Sequence, residues 1–335
     1  MSKQDNIRLT APEIGSLWMQ YMSDSMVSYV LQYFINKAQD QEIRPVIQFA
    51  LSLSEKHIQG ITQMFNKEGM PIPVGFASKD VNVNAPSLYL ETFYLHYLKH
   101  MSQVGMIAYA TACGMSVRQD VRQFYYACSK SVTELYEQVT QVLLSKGLYI
   151  RGPYIPLPAK AEFVESPSFM GSIMGKNRPL NALEISMLFN NVQTNAMARS
   201  LIIGFSQVAQ SKDVRDFFVR GQDISKKQIE ILSSFLKNDN LSAPETWDSE
   251  VTTSSVAPFS DKLMMQHITT LIQAGMANYG AALGASTRVD LATSYSRLMA
   301  EIAGYGEDGM QLMIKHGWLE QAPQAADRKE LALHR

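Results

Sequence analysis

The chain is poor in cysteine. Cys113 and Cys128 are its two thiols in 335 residues, and no C-x-x-C pair occurs. That excludes a disulfide framework and a zinc-thiolate site, and free thiols in a reducing compartment are the expectation. An excess of charge of one sign is also missing. The 30 basic and 31 acidic side chains leave a formal net charge of −1, and the basic residues form no run. No strong field is therefore available to hold nucleic acid or an anionic membrane surface. No apolar run reaches the roughly 18 residues of a membrane-spanning helix. The start, MSKQDNIRLTAPEIG, lacks the apolar segment of a secretory signal. A cytoplasmic protein without a nucleic-acid partner is expected. Nucleotide-binding and hydrolase signatures are missing too: there is no P-loop, no G-x-G-x-x-G after a strand and no G-x-S-x-G elbow.

What is present is a core and a repeat. Hydrophobic residues make up 46% of the chain and charged residues 18%, ample for packed domains. GMIAYATACGMSVRQD (Gly105 to Asp120) returns as GMANYGAALGASTRVD (Gly275 to Asp290), 170 positions later. Earlier, LTAPEIGSLW from Leu9 lies over LNALEISMLF from Leu180 at an offset of 171. KAQDQEIRPV and SEKHIQGITQMF keep the same offset. Register over that length marks a tandem duplication of one domain. The register change falls between the pairs Pro73/Pro244 and Gln103/Gln273. The domains read as 8–150, a Pro-, Gly- and Ser-rich linker 151–178 packed along the surface, 179–322, and a charged tail 323–335.

Apolar spacing places four helices in the first copy. Helix A runs from about Pro12 to Ala38, with a capping box at Thr10 and Glu13. Helix B runs from about Ile43 to Lys67, stopped by Gly69 and Pro71. Helix C spans about Ser87 to Cys113, and helix D about Val117 to Lys146. The A–B and C–D links are short, whereas the B–C link approaches twenty residues. Short links make antiparallel neighbours, and one long middle link is the ferritin-like connection. The expected fold is all-α, two tandem ferritin-like four-helix bundles, each with one long B–C crossover.

The repeated phrase is then the C–D corner. Gly105 and Gly275 stand inside helix C, where glycine costs up to about 1 kcal/mol and signals close helix approach, with Tyr109 and Tyr279 one turn on. Gly114 and Gly284 read as left-handed residues ending helix C. Ser116 and Ser286 read as N-caps of helix D. Arg118 with Asp120, and Arg288 with Asp290, read as structural, the arginine tying to a neighbouring element. Two residues apart on a helix, they would not face each other. Tyr89, Tyr94, Tyr97 and Tyr109 with Tyr125 and Tyr126 form an aromatic-rich corner, read as packing or else as a slot for a small apolar ligand.

The pattern L-x-x-x-E-I-x-x-L-W/F opening helix A, with G-M-x-x-Y-x-x-x-x-G-x-S-x-R-x-D at the corner, resembles the family labelled domain of unknown function 3231, found in endospore-forming bacilli. That family is a relative of spore coat protein F. The resemblance implies a ferritin-like bundle and a link to the spore coat, and it carries no catalytic residues.

A ferritin-like bundle raises the question of a di-iron or di-manganese centre, built from Glu and Glu-x-x-His motifs. Neither copy has Glu-x-x-His. The first copy offers Asp24, Glu55, His57, His96, His100, Glu134 and Glu137 as candidate ligands; His96 and His100 share a helix face. The second copy carries Asn195, Lys226, Gln228, Gln266, Thr270, Gly304 and Glu307 there, a set unable to hold two irons. The leading reading has no cofactor: a non-enzymatic structural or interaction protein with protein partners or self-association. The alternatives are an iron- or manganese-binding protein or oxidase active in the first copy only, and a carrier of a small apolar ligand.

Overall fold

A computed structural model describes residues 7–173, 175 and 177–333. Met174 and Lys176 of the linker and the last two residues of the charged tail lie outside the described residues. Eight long helices carry the fold: α1 Ala11–Lys37, α2 Ile43–Glu68, α3 Glu91–Met115, α4 Gln119–Ser145, α5 Ala182–Val208, α6 Lys212–Asn238, α7 Asp261–Ala285 and α8 Val289–Lys315. A short α9, Arg328–Leu333, lies in the tail. Helices α1 to α4 pack together, and so do α5 to α8, so each bundle is drawn from one copy. Both have the single long crossover between their second and third helices. Among the described residues no helix is long and apolar enough to cross a membrane.

The change of register sits in a loop. Gly69 and Asn240, with φ of 68° and 58°, end α2 and α6 in the left-handed region and keep the offset of 171. The short helical turns Ser78–Asp80 and Asp248–Glu250 are already at 170. Between these points Met70–Ala77 has one residue more than Leu241–Trp247. A deletion inside a helix would rotate every later side chain by about 100° and take the apolar stripe off the core. In a loop it costs little.

The two crossovers pair with each other. Asn82 N donates to Pro258 O at 2.7 Å, and its counterpart Thr252 N donates to Leu88 O at 2.9 Å. Leu90 N donates to Glu250 O at 2.9 Å, and Ser260 N donates to Asp80 O, also at 2.9 Å. Each bond maps onto the other of its pair when the copies are exchanged, so a pseudo-two-fold axis passes between the crossovers. The ring–ring contacts of Tyr33 with Phe259 (5.1 Å) and of Phe205 with Phe259 (6.1 Å) lie beside it. One apolar cluster runs through both bundles there, and a second fills the far end of the α5–α8 bundle.

Three expectations need correction. Helix α3 starts at Glu91, not Ser87, because Ser87 to Leu90 are non-helical and Leu88, Tyr89 and Leu90 pair with the second crossover. The middle of the linker does not pack on the surface: Tyr154, Leu157 and Phe163 are 88%, 93% and 97% exposed. Pro153, Pro156 and Pro158 deny that stretch both a helix and a ladder to bury a face. Finally, the tyrosines do not share one corner. Tyr89, Tyr94 and Tyr97 are buried near the junction of the copies, Tyr125 lies inside the first bundle, and Tyr126 is 70% exposed.

Candidate functional site

The repeated corner is a knot of helix ends. Glu13, in the first turn of α1, accepts from Thr10 N at 2.8 Å through one carboxylate oxygen. Its other oxygen accepts from Val117 N at 2.9 Å and Arg118 N at 2.7 Å, capping α4 from across the bundle. Arg118 is the N-cap residue, with extended backbone. Outside the helix its side chain folds back onto Asp120, with Nε to Oδ1 at 2.9 Å and Nη2 to Oδ2 at 2.6 Å. The same guanidinium binds Glu68 at the end of α2 and donates to Ile7 O at 3.3 Å. The expectation that Arg118 and Asp120 do not face each other therefore fails, because Arg118 is not helical.

The second copy repeats the knot. Glu184 accepts from Thr287 N and Arg288 N, both at 3.2 Å, and Arg288 Nη2 donates to Asp290 Oδ2 at 2.7 Å. Arg288 also donates to Arg178 O at 2.9 Å. Burial works against the Glu184 carboxylate, but hydrogen bonds from Arg178, Asn181 and Thr287 outweigh it and hold its pKa down to about 2. Gly114 and Gly284 are helical, not left-handed, since α3 and α7 run one residue past them. Ser116 and Ser286 are not N-caps: each hydroxyl donates at 2.7 Å to a carbonyl four residues back, Ala112 or Ala282. Glu13 and Glu184 supply the caps instead. At Gly105 a Cβ would lie 3.1 Å from Val132 of α4, whereas at Gly275 it would lie 3.7 Å from Ile302 of α8, so helix approach is tightest in the first copy.

A second cluster lies inside the first bundle. His57 Nδ1 of α2 stands 3.2 Å from Asp24 Oδ2 of α1, and both residues are buried. Burial disfavours the imidazolium, yet Asp24 and Cys128 of α4 outweigh it and push the His57 pKa up to about 10. Gln20 Nε2 reaches Cys128 Sγ at 3.8 Å, and the Tyr109 ring meets the imidazole edge-on at 5.5 Å. Gln20 Oε1 and Tyr125 Oη are buried without a protein partner. In the second copy Asp24, His57 and Cys128 become Asn195, Gln228 and Leu298, while the tyrosines remain as Tyr279 and Tyr295. There Asn195 Nδ2 donates to Tyr279 Oη at 2.8 Å, and Tyr279 Oη donates to Gln228 Oε1 at 2.6 Å. One architecture thus holds a titratable set in one copy and a neutral hydrogen-bonded set in the other.

A family model described as protein of unknown function, DUF3231, matches residues 2–160 and again 168–331. The chain belongs to the DUF3231 family. No curated protein matches it. A crystal structure of a candidate spore coat protein from Bacillus halodurans C-125 is 17% identical, with a TM-score of 0.41, over 45% of this chain and 98% of that one.

Of the candidate ligands in this DUF3231 chain, the structure joins Asp24 to His57 and disperses the others. Glu55, Glu134 and Glu137 are exposed, and Glu137 accepts from Gln141 one turn on at 2.7 Å. His96 and His100 are buried on α3 near the second copy, where the His96 ring meets that of Trp247 at a tilt, 4.7 Å between centroids. Among the described residues no three or more His, Cys, Asp or Glu side chains come together as metal ligands. Cys128 is the member of the inner cluster that spacing missed. Its signal was the column comparison, a thiol in one copy facing Leu298 in the other.

Proposed function

We infer that the protein is a non-enzymatic structural or interaction protein, associated with the spore coat as the resemblance to spore coat protein F implies. The observation carrying this reading is the fate of the shared motif. Its Arg and Asp side chains are spent on helix ends in both copies. The exposed apolar side chains of the linker, Tyr154, Leu157 and Phe163, support protein partners or self-association. The Asp24–His57 pair favours a second reading, iron or manganese chemistry in the first copy. Elemental analysis of the purified full chain separates the two. Absence of stoichiometric transition metal, after growth in iron- and manganese-supplemented medium, is the expected result. Two metal ions per chain, as a di-metal carboxylate centre holds, would overturn it. The carrier reading has a cavity of about 50 Å³ in the second bundle, lined by Ile202, Ile268 and Ile302 among others. That is well below the roughly 150 Å³ that accepts benzene.

A further inference from the structure

Between the bundles, α3 of the first copy faces α5 of the second across a cavity of about 10 Å³, room for about one water-sized occupant. Helix α3 contributes His96, Lys99, His100 and Gln103 to its wall, α5 contributes Asn190 and Gln193, and Trp247 closes it. No carboxylate lines it. Among the described residues none of these six polar side chains makes a hydrogen bond or ion pair within the protein. His100 is 8% exposed, and its buried Nε2 has no partner. The Lys99 ammonium has a ring face for company, Tyr149 at 5.6 Å, and no counter-ion.

We propose that this cavity binds one small monovalent inorganic anion, of the size of chloride, with Lys99 as its counter-charge. The wall supplies donors without a competing negative charge: an ammonium, three carboxamide NH₂ groups and the imidazole N–H groups. Burial, and then the charge of Lys99, push His96 and His100 down to about 4, so at neutral pH each imidazole keeps one N–H. Lys99 is half-buried, and a partly desolvated cation without a partner is costly, a cost that an anion offsets and a water does not. A metal cation is repelled by Lys99, and a phosphate is too large for the space. The pseudo-symmetric position cannot serve. There Lys99, His100, Asn190 and Gln193 are replaced by Thr269, Thr270, Met19 and Met22, so the stoichiometry is one anion per chain.

Thermal unfolding of the full chain tests this, with sodium chloride exchanged for sodium gluconate at constant ionic strength. Gluconate supplies charge but does not fit. The expected result is a saturable rise in Tm with chloride that vanishes in Lys99→Met, whose counterpart Thr269 is already uncharged. Should that variant fail to fold, crystals of the wild type grown in sodium bromide decide. One anomalous peak per chain beside Lys99 supports the site, and no peak in the cavity overturns it. A Tm that ignores the identity of the anion, or that responds to phosphate and not to chloride, overturns it as well.

Discussion

Tyr89 of the first crossover lies across Gly204 of α5. Its hydroxyl donates to Leu201 O at 2.8 Å, and a Cβ on Gly204 would stand 2.7 Å from Tyr89 Cζ. In the related direction Tyr33, the counterpart of Gly204, packs against Phe259, the counterpart of Tyr89, at 5.1 Å. The copies have diverged so that a hole on one side takes the ring that the other side accommodates differently. Gly204→Ala is expected to destabilise the chain by about 2 kcal/mol or more, since neither the ring nor the helix backbone can withdraw freely. Urea unfolding of the variant measures it.

Arg118 is 5% exposed and meets Asp120 through two nitrogens while also binding Glu68. Arg118→Ala is expected to cost about 2–4 kcal/mol, less than a fully buried pair because Asp120 is partly exposed. Arg118→Lys is expected to recover little of it, because an ammonium cannot make the planar double contact. Chemical denaturation of both variants checks the order.

Asp24→Asn alone strips the counter-charge from a buried imidazole. The His57 pKa is expected to fall well below about 10, because burial disfavours the imidazolium once the Asp24 charge is gone, observable by NMR titration of the ring. Asp24→Asn with His57→Gln installs the pair found in the second copy. It is expected to recover stability to within about 1 kcal/mol of wild type, since replacing both partners of a buried ion pair is often neutral.

Two opposite pH effects are expected in the unfolding free energy. His96 and His100 are held down to about 4, and His267 to about 3, first by burial. The unfolded chain binds protons at these residues near pH 6.5, so stability falls as pH drops from there towards 4. His57, held up to about 10, contributes stability that is complete below its unfolded value and is lost as pH rises through 10. Urea midpoints across this range should pass through a maximum between the two limits. His96→Gln, which installs the second-copy residue, should flatten the acid side.

Much of the fold was legible because it depends on period and offset. Apolar spacing places four helices in the first copy, and the offsets repeat them in the second and place the lost residue in the crossover. What was not legible depends on distant partners. Ser116 has the right chemistry and position for an N-cap, but Glu13 from α1 takes that role, and nothing local to the corner announces it. Ser87 to Leu90 extend the helical pattern of α3, yet their backbone is claimed by the second crossover. The inner cluster was half legible: Asp24 and His57 stood out as titratable groups near mid-helix, whereas Cys128 looked like a small apolar core residue.

The central claim is that duplication has made one structural unit, two bundles joined through paired crossovers and a shared core. Differential scanning calorimetry of the full chain tests it most directly. The account predicts one transition, with calorimetric and van't Hoff enthalpies equal. Two resolved transitions, each with about half the enthalpy, would show bundles that unfold independently and would contradict it.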